Sequence, residues 1–135
     1  MPHIIIEYSA NIRQTMDLPG LINTAHQTAI NTGVFPAGGT RTRGEERTDY
    51  KIADGHPDNG FVHVMIRLGH GRDEQTLKHA GQAIFDAIGQ HLQPLFNKSP
   101  LAISMEMQEI HPVLTFKHNN VHDYVKSRGQ SKRSG

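Results

Sequence analysis

Short apolar runs and long helical-period segments alternate along this chain, and that alternation limits the folds open to it. His3 to Tyr8 reads as a buried strand. Asp17 to about Asn31 carries Leu18, Leu21, Ile22, Ala25 and Ala29 at helical spacing. Asp17 is a good N-cap, Pro19 is tolerated in the first turn, and Gly33 suits the position just past the end. The turn Phe35-Pro36-Ala37-Gly38-Gly39 leads into a short extended segment around Thr40 to Arg43. A dense turn signal at 55–60 precedes a second strand, Phe61 to Leu68. Asp73 to about Phe96 is a long helix with Leu77, Ala80, Ile84, Phe85, Ile88, Leu92 and Leu95 on one face. Leu101 to Glu109 alternates strictly, and the mixed stretch after His111 is expected to end in a short helix near Lys126.

The order is β-α-β, a turn, then β-α-β. Within each half the two strands should run parallel, joined by a crossover helix. The expectation is an α/β chain of the α+β kind: a four-stranded mixed sheet with two helices on one face. The other face holds Phe61, His63, Met65 and Arg67 from one strand and Ser104, Glu106 and Gln108 from another. A sheet with parallel pairs seldom leaves a face bare to water. This amphiphilic face therefore points to an oligomer, with a monomer carrying one wet face as the other reading.

At 135 residues the chain suits a single domain with a real core, expected over 1–126. The absence of cysteine excludes disulfides, zinc thiolate sites and thiol nucleophiles. No apolar run has the length of a membrane span and no signal peptide precedes the first strand, so a cytoplasmic protein is expected. The formal net charge of +1 is misleading. Lys126, Arg128, Lys132 and Arg133 hold four of the 14 basic residues, leaving the body ten basic against 13 acidic residues. That balance argues against nucleic-acid binding by the folded body. The segment 127–135 is small, polar and basic, and is read as a disordered tail.

Pro2 stands directly behind the initiator methionine. Methionine before a small residue is commonly removed, which would leave proline as the first residue with a secondary amine. The strand that follows would hold that amine in place. A fixed amine can carry a proton, whereas a proline elsewhere in a chain is an amide. An ordinary α-amine has a pKa of about 7.7–8.0, and apolar burial or a nearby arginine would lower it toward working pH. Arg72 ends the turn Gly69-His70-Gly71 just before the long helix. Glycine lets backbone approach a ligand, a helix N-terminus favours anions, and arginine offers a fork for a carboxylate. The competing reading pairs Arg72 with Asp73 or Glu74. Arg41 and Arg43 are two apart and fall on one side of an extended segment. One of them could stabilise negative charge growing on a bound substrate while the other bridges subunits, and Arg47 is a further candidate.

These residues carry a resemblance. The N-terminal Pro-His-Ile-Ile-Ile-Glu, Asn11-Ile12-Arg13, Asp17-Leu18-Pro19-Gly20-Leu21, Gly33-Val34-Phe35-Pro36 and Arg41-Thr42-Arg43 are joined by Ala53-Asp54-Gly55, Gly69-His70-Gly71-Arg72 and the run Phe116 to His122. Together they resemble the 5-carboxymethyl-2-hydroxymuconate Δ-isomerases of the tautomerase superfamily, up to about Lys126. The stretch 44–51 carries least of the likeness. The resemblance implies a tautomerase-like β-α-β-β-α-β subunit assembled as a homotrimer, with no metal and no organic cofactor. It implies a small anionic dienol or oxo-acid substrate from homoprotocatechuate breakdown, in which a double bond is moved. It implies that Pro2 moves the proton and that Arg41 and Arg72 are the catalytic arginines. Arg43 is expected to support Arg41. Lys117 and Asn119, with Asn120, are candidates to line the pocket from the C-terminal arm, with core docking or trimer contact as the alternative.

Ten histidines invite a metal hypothesis, but their spacings match no standard zinc pattern, and surface or interface histidine is the default. Three functional readings stay open: the Δ-isomerase, another keto-enol tautomerase of the 2-hydroxymuconate or phenylpyruvate type, and a non-catalytic trimeric binding protein of the same fold.

Overall fold

The computed structural model describes residues 2–134, with side chains described through residue 129. The expectations on Met1 and on the end of the basic tail fall outside those residues.

Strand β1 (His3–Ser9) alternates as its sequence requires: Ile4, Ile6 and Tyr8 are buried, while His3, Ile5 and Glu7 are only half-buried. Helix α1 (Leu18–Asn31) starts where the Asp17 carboxylate accepts the Gly20 N–H at 3.2 Å. It stops before Gly33, which adopts the left-handed φ of +76° that glycine tolerates. A 3-10 turn (Ala37–Gly39) delivers the chain into β2 (Arg41–Arg47). Strand β3 (Gly60–Leu68) is followed by α2 (Glu74–Phe96), whose N-cap Asp73 accepts the Thr76 N–H at 2.7 Å. Strand β4 (Leu101–Glu109) and α3 (Val121–Ser134) complete the order.

The sheet order is β2-β1-β3-β4. Pairs β1–β2 and β3–β4 are parallel and β1–β3 is antiparallel, which is the mixed sheet built from two crossover units. Both helices lie on one face. Leu21, Ala25 and Ala29 of α1 and Ile84, Ile88 and Leu92 of α2 form one core with Ile4, Ile6, Val62, Val64 and Ile66. Each fully buried isoleucine or leucine there contributes about 1.5–3 kcal/mol relative to exposure.

Two elements run further than their sequences suggest. β2 continues past Arg43 to Arg47 although Gly44-Glu45-Glu46-Arg47 has little strand character. Cross-strand partners hold it: Arg47 Nε donates to Glu7 at 2.6 Å and the Tyr8 hydroxyl to Glu46 at 3.4 Å, while within the strand Arg47 Nη2 donates to Glu45 at 2.8 Å. Helix α3 runs Val121–Ser134, across most of the segment read as tail, and packs against the 3-10 turn.

Candidate active site

The parallel register sets Arg41 beside His3, and the Arg41 backbone N–H donates to the Pro2 carbonyl at 3.1 Å. On the other side of β1, His3 faces Arg67 of β3. The N-terminal ends of β1 and β2 and the C-terminal end of β3 therefore meet at one corner of the sheet. A cavity of about 590 Å3 opens there, between His3, Arg41, the Gly69-His70 turn and the arm spanning residues 110–119. The arm is anchored at both ends. The Ile110 N–H donates to the Leu68 carbonyl at 2.7 Å, and α3 docks on the Ala37–Gly39 turn.

Six side chains were expected in the site. Arg41, Lys117 and Asn119 line this cavity. The Asn119 carboxamide oxygen accepts the Val121 N–H at 2.8 Å, which starts α3 and turns the amide nitrogen the other way. That nitrogen is buried and has no hydrogen-bond partner among the described residues. An unmet buried donor costs about 1–3 kcal/mol, so it is a ready place for an acceptor atom of a ligand. Pro2 is fully buried and does not itself line the cavity, while His3 and Arg41 beside it do.

Arg43 and Arg72 do not line the cavity. Arg43 lies on the same side of β2 as Arg41 and donates through Nη1 to His3 Nδ1 at 3.1 Å. Arg72 folds toward the loop before β2: Nη2 donates to the Val34 carbonyl at 3.1 Å, Nη1 to the Gly69 carbonyl at 3.4 Å, and the guanidinium lies 5.4 Å from the centre of the Phe35 ring. No described carboxylate pairs with Arg72, so the Asp73 or Glu74 pairing is not what holds it. Asp73 instead caps α2, and the Thr76 N–H holds its carboxyl below the usual range. Part of the anion-binding capacity expected at that helix start is thus met internally. Arg47 is tied to Glu7 and Glu45 further along the strand.

His3 is the residue that sequence reasoning left out. Alternation about Ile4 and Ile6 was its signal, since it places His3 on the same face as Arg41. Burial, then the charges of Arg43, Arg41 and Arg67, hold its pKa below the ordinary 6.5. At the cavity mouth His70 Nδ1 lies 3.2 Å from Glu109, whose carboxylate also accepts the Gly71 N–H at 3.4 Å. The end of β4 thereby fixes the turn after β3.

The family model described as 5-carboxymethyl-2-hydroxymuconate isomerase matches residues 2–125. The chain belongs to that family. An Escherichia coli 5-carboxymethyl-2-hydroxymuconate Delta-isomerase is 41% identical over 126 residues, which is 93% of this chain and 100% of the relative. A 5-carboxymethyl-2-hydroxymuconate isomerase from Deinococcus radiodurans R1 superposes with a TM-score of 0.86 at 31% identity, covering 92% of this chain and 93% of that one. A fused 4-OT described as a symmetric trimer shares the fold at a TM-score of 0.65 and 12% identity, over 91% of this chain and 98% of its own. The isomerase family and the tautomerase-like fold that the sequence motifs imply are both upheld. Among the described residues no helix is long and apolar enough to cross a membrane.

Proposed function

We propose that this chain isomerises 5-carboxymethyl-2-hydroxymuconate, moving a double bond along the conjugated acid by proton transfer through Pro2. Family membership supports the reaction. The observation that carries the site is the cavity beside Pro2, where Arg41, Lys117 and the unpaired amide of Asn119 face one volume. A substrate with several carboxylates needs such a concentration of cations and donors.

With Met1 removed, the Pro2 amine would be held by the β1–β2 register at the cavity wall. It takes a proton from the enol oxygen and returns one to carbon further along the chain. Arg41 stabilises the dienolate charge, and Lys117 and Asn119 hold carboxylate oxygens. Arg43 acts through His3. Arg72 has donors beyond the two that bind carbonyls and, by swinging from Phe35, holds a second carboxylate at the Gly69 turn. No cofactor enters this scheme. The compartment proposed for this reaction is the cytoplasm.

We also propose a homotrimer. Val113, Leu114 and Phe116 of the arm are 73%, 69% and 91% exposed in the single chain, and hydrophobic side chains so exposed favour a partner subunit.

The test is an ultraviolet assay with 5-carboxymethyl-2-hydroxymuconate on protein whose mass shows that Met1 is absent, with phenylpyruvate as the monocarboxylate control. Conversion of the first alone supports the reading. Turnover of phenylpyruvate in preference selects the second tautomerase reading, and turnover of neither selects a binding protein. Light scattering after gel filtration reports the trimer.

A further inference from the structure

His3 stands at the wall of the cavity with one ring nitrogen already assigned. Arg43 Nη1 lies 3.1 Å from His3 Nδ1. A guanidinium only donates, so Nδ1 must be the accepting nitrogen, and the ring proton of a neutral imidazole must sit on Nε2. The Nε2–H has no hydrogen-bond partner among the described residues, and the ring lines the cavity together with Arg41, Lys117 and Asn119. We infer that His3 is a substrate-binding residue: a neutral imidazole, locked by Arg43 as the Nε2–H tautomer, that donates to a carboxylate oxygen of the bound acid.

The arrangement has a chemical logic. Arg43 on β2, with Arg41 beside it and Arg67 across on β3, makes a second positive charge on the ring unfavourable. His70, His111, Lys117 and His118 face it from the turn and the arm and work in the same sense where charged. His3 therefore offers direction without acidity. It can orient an anion beside Pro2 without supplying a proton that would quench the dienolate. Arg43, which does not line the cavity, gains a role through this contact as a positioning residue.

The inference rests on the proposed isomerase activity for its kinetic reading but not for its tautomer. The first measurement is the ¹⁵N spectrum of the histidine rings of the intact protein at neutral pH, with His3 assigned by comparison with His3→Gln. A protonated Nε2 and an unprotonated Nδ1 are expected. A protonated Nδ1, or a cationic ring, overturns the inference. Arg43→Gln should let the other tautomer appear.

The second measurement compares His3→Gln, which keeps a donor near the Nε2 position, with His3→Asn and His3→Leu. His3→Leu and His3→Asn should raise KM by roughly tenfold with kcat little changed, the loss of one hydrogen bond to a charged group. His3→Gln should stay within about twofold of wild type. Equal KM values for Leu and wild type, in variants with native circular dichroism, overturn the role. Calorimetric binding of adipate, a dicarboxylate that cannot isomerise, gives the same comparison without turnover. If wild type turns over no muconate yet adipate binding still falls in His3→Leu, the isomerase reading fails and the His3 inference stands. If adipate binding is unchanged, His3 is not a carboxylate donor.

Discussion

Gly38 has no room for a side chain because His122 occupies it: a β-carbon built there would lie 2.5 Å from His122 Nδ1 and 2.9 Å from its Cα. The second distance involves backbone, so α3 would have to move as a whole. Since α3 holds the far end of the arm over the cavity, Gly38→Ala should loosen residues 110–119. Overpacking of this kind costs about 1–3 kcal/mol. The expected outcome is a raised KM and faster amide hydrogen exchange in the arm, with the β1–β3 amides unchanged. Unchanged exchange in the arm would show that it is held without α3.

A second prediction concerns Tyr8, whose ring is buried and whose hydroxyl reaches the edge of β2. It accepts from Arg13 Nη1 at 2.8 Å and donates to Glu46 at 3.4 Å, while Arg13 and Glu46 themselves lie 3.6 Å apart. Both charged partners are partly solvated, so Tyr8→Phe removes hydrogen bonds without stranding a buried charge. A loss of about 1 kcal/mol is expected, read as a fall in Tm of about 4 °C, with activity retained. A fall twice as large would mean that the hydroxyl anchors β2 as a whole.

The helices and strands of the core were legible because each carries a period of its own. Leu77, Ala80, Ile84, Ile88 and Leu92 describe one face of a helix wherever they stand in space, and Leu101 to Gln108 describes one strand. The last part of β2 was not legible, because Glu45, Glu46 and Arg47 become strand only once Glu7 and Tyr8 lie alongside. The arm has no period at all, and its place over the cavity depends on Leu68 and Gly38, both distant in sequence. Arg72 shows the same limit: its motif announced an anion-binding arginine, but the Val34 and Phe35 contacts that set its side chain lie at the other end of a crossover. Arg41, Lys117 and Asn119 were named from the motifs before the cavity gathered them.

The His3 environment predicts a pH dependence of stability. In the fold its pKa is held below 6.5 by burial and by Arg43, Arg41 and Arg67. In the unfolded chain it returns to about 6.5. Between those values the unfolded chain binds a proton that the native chain does not, so stability rises with pH across that window. The contribution is complete above about pH 6.5 and is lost as the pH falls toward the folded pKa. Urea unfolding of wild type and His3→Gln at about pH 7.5 and about pH 5.5 should show a smaller drop for the variant. Equal drops would mean that His3 titrates alike in both states.

Two glycines inside α2 make opposite predictions. A β-carbon at Gly89 meets nothing within 4 Å, and its helical backbone suits alanine. Gly89→Ala should therefore stabilise by about 0.5–1 kcal/mol, raising Tm by about 2–4 °C, because alanine loses less backbone freedom on folding. At Gly81 a β-carbon would lie 2.7 Å from Met107 Sδ on the edge strand. Methionine can swing aside, but only by giving up its contact with α2, so the same helix-propensity gain is offset and little net change is expected. Thermal melts of the two variants decide the matter, and they also probe the assembly. Gly89 is open in the single chain, so a destabilising alanine there would mean that another subunit covers this side of α2. A stabilising one means that the proposed trimer leaves this side of α2 uncovered.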